Sequence, residues 1–304
     1  MLKNKFSLRL KTYIWLIGLT LGCFSGYYLN HLSYNSRIFD LFASKQEENL
    51  TLVNSIISLD KQRVETLAND YTYWDDMVSF VSKPDTTWAS ENLDAALLTF
   101  DVEGIWVFKM DGSLVYSVKT DEGKVEHGVD FYLDSNKRSK LFNSSRTISF
   151  YLEDDKGQIE EIHGATIHPS NDSARKTPPA GYMLVTRDLN TAYTNRIGTY
   201  TNGRAEISES QPNLSTDQLI ADSMTLSSVP LLDIEESAAG YLNIYSELPT
   251  LKQLSNEVDR QRRLTILSYV TFYITIAWLI VLYGQGLVKK RKSSEISSDD
   301  TPKV

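Results

Sequence analysis

Two uninterrupted apolar runs stand near the ends of the chain, with alternating apolar and polar positions between them. The first run, Thr12 to Leu29, and the second, Leu264 to Val288, contain no charged residue. At about 1.5 Å per residue, roughly 18 to 20 helical residues cross the hydrocarbon core, so both are expected to be transmembrane helices. For the first run a cleaved signal peptide is the alternative, because Lys3, Lys5, Arg9 and Lys11 form a positive leader. The run closes on Gly26, Tyr27, Tyr28 and Leu29, whose aromatic rings suit a membrane interface, and a retained anchor is favoured. Lys289, Lys290, Arg291 and Lys292 follow the second run, so basic clusters lie outside both. The positive-inside rule then places both termini in the cytoplasm. The expected organisation is a cytoplasmic N-terminus (1–11), a first span (12–29), an extracytoplasmic segment (30–263), a second span (264–288) and a short cytoplasmic tail (289–304). Such a chain belongs in a bacterial inner membrane, with its central segment periplasmic. The tail is polar and Ser/Asp-rich, reads as disordered, and is too short for a catalytic domain.

Inside the central segment, apolar residues first recur at spacings of three and four. The stripe runs Leu50, Val53, Ile57, Asp60, Val64, Leu67, Tyr71, Trp74, Val78 and Val81, and only Asp60 breaks it. This spacing predicts one long helix with a heptad-like seam, beginning near Asn35 and running directly from the membrane. It packs either on its own domain or against the same helix of a second copy. Lys83-Pro84-Asp85 is expected to stop it, and a short helix is expected over Thr87 to Leu98.

The period then changes to two. Gly104 to Met110 and Ser113 to Thr120 flank Asp111-Gly112, a strong hairpin signal, because glycine relieves the positive φ of a tight turn. A polar helical stretch is expected at Tyr132 to Asn143. A second hairpin follows, with arms Ile148 to Glu153 and Gln158 to His168. Pro169 to Pro179 reads as a loop, Gly181 to Arg187 as a buried strand, and Asn190 to Thr199 as a helix. Further strands are expected at Arg204 to Glu209, Met224 to Val229 and Tyr241 to Ser246, with a return helix from Leu251 to Arg263. Segregated helices and antiparallel strands make this an α+β domain. No internal repeat suggests a solenoid.

Composition narrows the function classes. With 31 Lys+Arg against 39 Asp+Glu the net charge is −8, which argues against nucleic acid as a partner. The first twelve residues carry four basic and no acidic groups, and the tail from Lys289 five basic and three acidic. That leaves 22 basic and 36 acidic groups, or −14, on the outer segment, since the spans are uncharged. The single cysteine, Cys23, makes neither an internal disulfide nor a thiolate zinc site. His163 and His168 stand five residues apart on a strand, hence on opposite faces, so no metal is expected there. No phosphate loop, nucleophile elbow or triad spacing occurs, and neither an enzyme nor a cofactor is expected.

The blocks Asp70 to Val81 (DYTYWDDMVSFV), Asn92-Leu93, Gly104 to Ser117 (GIWVFKMDGSLVYS), His163 to Thr166 and Gly181 to Leu189 (GYMLVTRDL) occur in this order. Together they resemble the fourth class of CHASE extracellular sensor domains, over roughly residues 35 to 250. The resemblance implies a PAS/Cache-like sheet domain, with the long N-terminal helix packed on it, that senses a small ligand outside the membrane. In that family the second span usually leads to a cyclase, phosphodiesterase or histidine kinase, and here it leads to the short tail. A separate cytoplasmic-output membrane protein is therefore the expected partner, and a homodimer through the juxtamembrane helix is open.

Within the matched blocks, Trp74, Asp75, Asp76, Asn92, Asp111 and Gly112 are read as structural anchors. Trp74 lies on the apolar stripe and is expected to fill the core, while Asp75 or Asp76 caps or tethers a neighbouring loop. Trp106 and Phe108 share one face of their strand, and Ile105 and Val107 the other. One face packs on the long helix. The other is expected to line a ligand pocket in which Trp106, Tyr116, Tyr151 and Tyr182 supply apolar walls. Arg187 ends the buried strand, where it either clamps a carboxylate ligand or forms an internal salt bridge, the commoner role. The leading expectation is a membrane-anchored sensor of a small ligand or periplasmic protein. The alternative is a structural or assembly protein that uses the sensor fold for docking.

Overall fold

The computed structural model describes residues 2–121, 123–154, 156–172 and 174–296, with side chains for those of them from 17 to 281 apart from 30, 35 and 121. The chain divides into two units, with boundaries at Leu41/Phe42 and Leu248/Pro249.

In the unit Phe42–Leu248, helix α1 (Leu2–Tyr71) supplies the long stripe. Val53, Ile57, Val64 and Leu67 are buried, and so is Asp60, whereas Leu50 at the near end is 40% exposed. The seam is therefore a packing face almost as read, but the helix does not run on to Val81. It stops at Tyr71, because Thr72 leaves the helical ladder. Its hydroxyl donates to the Ala68 carbonyl at 2.7 Å, and its own carbonyl accepts the His168 N–H at 2.9 Å. Trp74 is extended, and α2 (Asp75–Ser82) restarts the stripe with Met77, Phe80 and Val81 buried, ending ahead of Pro84. The expected helix over Thr87 to Leu98 is split into α3 (Thr86–Ala89), a π-helical turn (Ser90–Asp94) and α4 (Ala95–Phe100). Asp85 caps α3 by accepting the N–H groups of Thr87 and Trp88.

Six strands form the main sheet: β1 (Gly104–Lys109), β2 (Leu114–Asp121), β3 (Lys124–His127), β4 (Thr147–Glu153), β5 (Ile159–Ile167) and β6 (Gly181–Asp188). Their order is β3-β2-β1-β6-β5-β4, and every neighbouring pair is antiparallel. Both expected hairpins are present. Gly112 has φ +82°, and a Cβ there would lie 2.8 Å from the Ser135 carbonyl oxygen, so the turn and its neighbour both require glycine. The expected helix Tyr132 to Asn143 is reduced to one turn, α5 (Ser135–Arg138). Phe131, Leu133, Leu141 and Phe142 are buried in one apolar cluster with the sheet, which holds the segment as an irregular cover.

Helix α6 (Thr191–Tyr200) leads to a second, three-stranded antiparallel sheet of β7 (Gly203–Ser208), β8 (Met224–Leu232) and β9 (Ala238–Glu247), in the order β7-β9-β8. The short helix α7 (Thr216–Ala221) lies between β7 and β8. One long N-terminal helix on an antiparallel sheet whose first strand is central is the expected α+β, PAS/Cache-like architecture.

In the other unit, α8 (Pro249–Ile296) contains within Pro249–Val281 an 18-residue window of mean hydropathy 2.0, long and apolar enough to cross a membrane. The first expected span, Thr12 to Leu29, lies within α1, and its side chains before residue 17 fall outside those described. The Tyr269 hydroxyl donates to the Cys23 carbonyl at 2.9 Å, and a cavity of about 330 Å³ is lined by Cys23, Tyr27, Tyr269 and Tyr273.

Candidate functional site

Because side chains alternate along a strand, β5 and β6 carry different chemistry on the two faces of the main sheet. Register places Glu160 opposite Asp188, Glu161 opposite Arg187 and Ile162 opposite Thr186. Glu161, His163 and Arg187 therefore share one face, and Glu160, Ile162, Thr186 and Asp188 the other.

The first face meets α1. Arg187 Nη1 lies 2.8 Å from Asp60 Oδ2, and its Nε donates to Glu161 Oε2 at 3.1 Å, with Nη2 on the same oxygen. All three side chains are buried. Arg196 of α6 reaches Asp60 Oδ1 at 3.7 Å and Asp101 Oδ2 at 2.9 Å. Lys61 of α1 stands 3.9 Å from Glu161 Oε1, whose other neighbour is His163 Nε2 at 3.0 Å. The rings of Tyr151 and Tyr193 lie under Lys61 and Arg187 at 4.7 and 5.1 Å. Burial alone would push the Glu161 carboxyl up. The His163 hydrogen bond and the charges of Arg187, His163 and Lys61 overcome it and hold the pKa down at about 2. Burial next to Glu161 pushes the Tyr151 and Tyr193 hydroxyls well up, so both stay neutral. Asp60, the polar interruption in an apolar stripe, is thus the bond that joins α1 to β6.

The opposite face is aromatic. Trp106, Phe108, Tyr182 and Leu184 are fully buried against Phe131, Phe142 and Phe150. The Trp106 indole donates to the Val129 carbonyl at 3.0 Å, and the Tyr182 hydroxyl to the Arg138 carbonyl at 3.1 Å. Gly104 leaves the space that the Trp106 ring occupies. One end of this face is polar. Lys119 Nζ donates to Glu160 Oε1 at 2.7 Å and to the Tyr132 hydroxyl. Glu160 Oε2 and Thr186 Oγ1 are buried with no hydrogen-bond partner. Burial pushes the Glu160 carboxyl up, with the Asp188 charge adding to it and Lys119 opposing it. Nearby, Glu103 accepts the Asp188 backbone N–H at 2.9 Å, and burial together with the charges of Asp188 and Asp101 raises its pKa to about 7.

The five residues expected to line one pocket are distributed over the domain. Trp106 and Tyr182 share the aromatic face. Tyr116 lies on the face of Val107, where its hydroxyl donates to Asp94 Oδ1 at 2.7 Å. Tyr151 packs with Val53, Leu189 and Tyr193, and Arg187 forms the internal salt bridge. Trp74 stacks on Tyr71, with ring centroids 4.1 Å apart. Asp75 accepts the Ser170 N–H at 3.0 Å and its hydroxyl, so it tethers the 169–179 loop. Asp76 is exposed in the first turn of α2. Asn92 donates to the Trp88 carbonyl at 2.8 Å, and Asp111 accepts the Ser113 N–H at 2.9 Å. His163 and His168 are both buried. His168 bonds Thr166 at 2.9 Å and Asp172 at 3.2 Å, away from His163. Lys119, Tyr132, Glu160 and Glu161 were not singled out from sequence. The doublets Glu160-Glu161 and Arg187-Asp188 inside buried strands were the signal that could have found this charged end of the sheet.

The CHASE4 domain model matches residues 56–208. Among solved structures, the periplasmic domain of Vibrio cholerae LuxQ aligns at 11% identity and a TM-score of 0.45, covering 66% of this chain and 99% of that one. The sensor domain of the V. cholerae histidine kinase DctB aligns at 9% identity and a TM-score of 0.39, covering 67% and 96%. The ligand-binding domain of the Campylobacter jejuni chemoreceptor Tlp3, solved with 4-methylisoleucine, aligns at 8% identity and a TM-score of 0.40, covering 70% and 91%. No curated protein matches the chain.

Proposed function

The chain belongs to the CHASE4 domain family of extracellular sensory domains, and from that premise we propose that it binds a small ligand outside the membrane and relays the event through α1. The observation that carries this reading is the Asp60–Arg187 pair at 2.8 Å. It joins the helix on the N-terminal side of the domain to strand β6, which on its other face borders the Trp106 cluster and the Lys119–Glu160 end. Because the aromatic face is filled, the ligand contacts its polar end, where Glu160 and Thr186 hold unpaired buried atoms. A ligand that prefers one arrangement of β5 and β6 then shifts α1 by its unequal affinity for the two arrangements. Residues 12–29 and 264–288 are the two spans in this proposal. Both ends are cytoplasmic, 30–263 lies outside the inner membrane, and a separate protein receives the signal. The filled face also favours a second reading, in which the domain docks a periplasmic protein.

The test is a thermal-shift screen of the full chain in detergent against small carboxylates, amines and amino acids. Ligand at about 100 times its Kd adds about 2.7 kcal/mol of stability, so one class should raise Tm by several degrees. That rise should disappear in Lys119→Met. No shift with any class removes the small-ligand reading and leaves docking.

A further inference from the structure

Among the described residues three arginines are buried, and two of them have their guanidinium well supplied with acceptors. Arg187 spends Nε, Nη1 and Nη2 on Asp60 and Glu161. Arg175 gives Nη1 to the Thr166 carbonyl, and Nη2 to Thr72 Oγ1 at 2.8 Å and the Asn69 carbonyl at 3.3 Å. Arg138 of α5 is 7% exposed, yet among the described residues only its Nη1 makes a hydrogen bond, to Asp130 Oδ1. Its Nε is buried and has no partner. A guanidinium presents paired N–H groups in one plane, spaced for the two oxygens of a carboxylate. Here a single oxygen meets the fork.

The fork is held in place by its surroundings. The Arg138 carbonyl accepts the Tyr182 hydroxyl at 3.1 Å, and a Cβ on Gly112 would lie 3.4 Å from Arg138 Cβ, so the Asp111-Gly112 turn closes on α5. The guanidinium carbon stands 5.0 Å from the centroid of the Phe108 ring. An arginine fixed in this way loses little freedom on binding. Its partner is placed differently. The Asp130 side chain is 73% exposed, and an exposed pair made through one oxygen contributes little. Arg138 is therefore one surface side chain away from solvent. Met110 and Leu114, partly buried against the same cluster as Phe108, offer apolar contact beside it. Lys119 lies opposite Gly104 at the start of β1, whereas Phe108 is near the end of that strand, so Arg138 stands apart from the Lys119–Glu160 end.

We propose that Arg138 is a receptor for the carboxylate of a small apolar monocarboxylate, which Asp130 now holds off as a resident competitor. The incoming carboxylate takes the free Nε–H together with an Nη–H, two charge-assisted bonds where Asp130 makes one. Its apolar body rests against Met110 and Leu114 at the edge of the aromatic cluster. The site does not depend on the Lys119–Glu160 end.

The test titrates the full chain, isotope-labelled at its arginine nitrogens, with benzoate in lipid nanodiscs at constant ionic strength, and follows the arginine Nε–H signals by NMR. In the wild type one signal should shift and saturate. It should be the signal missing from Arg138→Lys, which keeps the charge and lacks the fork. Asp130→Asn removes the competing carboxylate and should tighten benzoate about two- to fivefold, the scale of an exposed ion pair. Asp130 is mostly exposed, so this variant folds even if Arg138→Lys does not. No saturable shift in either the wild type or Asp130→Asn, or equal affinity in the two, overturns the proposal. So does inorganic phosphate that moves the same signal with equal affinity, which would mark a general anion site. Lys119→Met separates this site from the polar end, and the Arg138 signal should respond to benzoate in it as in the wild type. If the response is lost there, the carboxylate binds at the polar end, and the Arg138 site falls while that reading stands.

Discussion

Glu160 and Glu161 are neighbours in one strand, both buried, and their acidities move in opposite directions. Glu161 faces α1, where Arg187, His163 and Lys61 hold it ionised with a pKa of about 2. Glu160 faces the aromatic side, where burial and Asp188 push it up against the pull of Lys119. Backbone, burial and residue type are the same, so the partner elements decide. The α1 face surrounds its acids with cations from three elements and acts as a lock. The aromatic face supplies one lysine, and its acid is pushed toward the neutral form. In the proposed function the aromatic end is the face that changes when something binds, and the α1 face carries the change to a helix.

The largest expected effect sets the two faces directly against each other. Arg187→Met leaves Asp60 and Glu161 buried without their guanidinium, and breaking such a network from one side costs about 3–5 kcal/mol. Lys119→Met leaves Glu160, a carboxyl already pushed toward its neutral form, which takes up a proton and limits the loss to about 1–3 kcal/mol. Urea unfolding of the full chain in detergent near neutral pH measures both. Equal losses would erase the distinction between lock and unsatisfied site.

A second test uses pH, and the signs differ. Glu161 is lowered from 4.5 to about 2, so its stabilisation is fully present above 4.5 and is lost as pH falls toward 2. Glu103 is raised from 4.5 to about 7, so its contribution is fully present below 4.5 and is lost as pH rises through 7. At about 1.36 kcal/mol per pKa unit, each amounts to ~3 kcal/mol. Urea midpoints should therefore fall on both sides of a mildly acidic optimum. Glu103→Gln should flatten the alkaline side and leave the acid side alone, and a loss on the acid side instead would mean that the two carboxyls are wrongly assigned.

Much of this was legible in the residues. The stripe from Val53 to Val81, the Asp111-Gly112 hairpin and the buried strand Gly181 to Arg187 follow from periodicity and turn chemistry, which are local. The break at Thr72 was not, because its carbonyl is claimed by His168, nearly a hundred residues away. The segment 132–143 reads as a polar helix, yet Phe131, Leu133, Leu141 and Phe142 fix it as a cover, and tertiary burial outweighs a short run of helix propensity. For the site, alternation within one strand separated Trp106 from Val107, but the faces of Tyr116 and Tyr151 depend on register between strands. Asp60 is the instructive case. Its place in the stripe was visible, and its meaning depended on Arg187 arriving from another strand.

The smallest effect asks whether α6 belongs to the lock. Asn190 caps this helix, its side-chain oxygen accepting the Tyr193 N–H at 3.0 Å, and Asn190→Ala should cost about 1 kcal/mol. Tyr193 and Arg196 project from the same helix onto Arg187 and Asp60. If the lock is one cooperative network, loosening the start of α6 also loosens what Arg187 rests on. The losses from Asn190→Ala and Arg187→Met should then fail to add, with a coupling of about 0.5 kcal/mol or more in a double-mutant cycle. Lys119→Met is on the other face, and its loss should add to that of Asn190→Ala within about 0.3–0.5 kcal/mol. Additivity in both cycles would confine the lock to α1, β5 and β6. Coupling in both would mean that the two faces communicate through the strands.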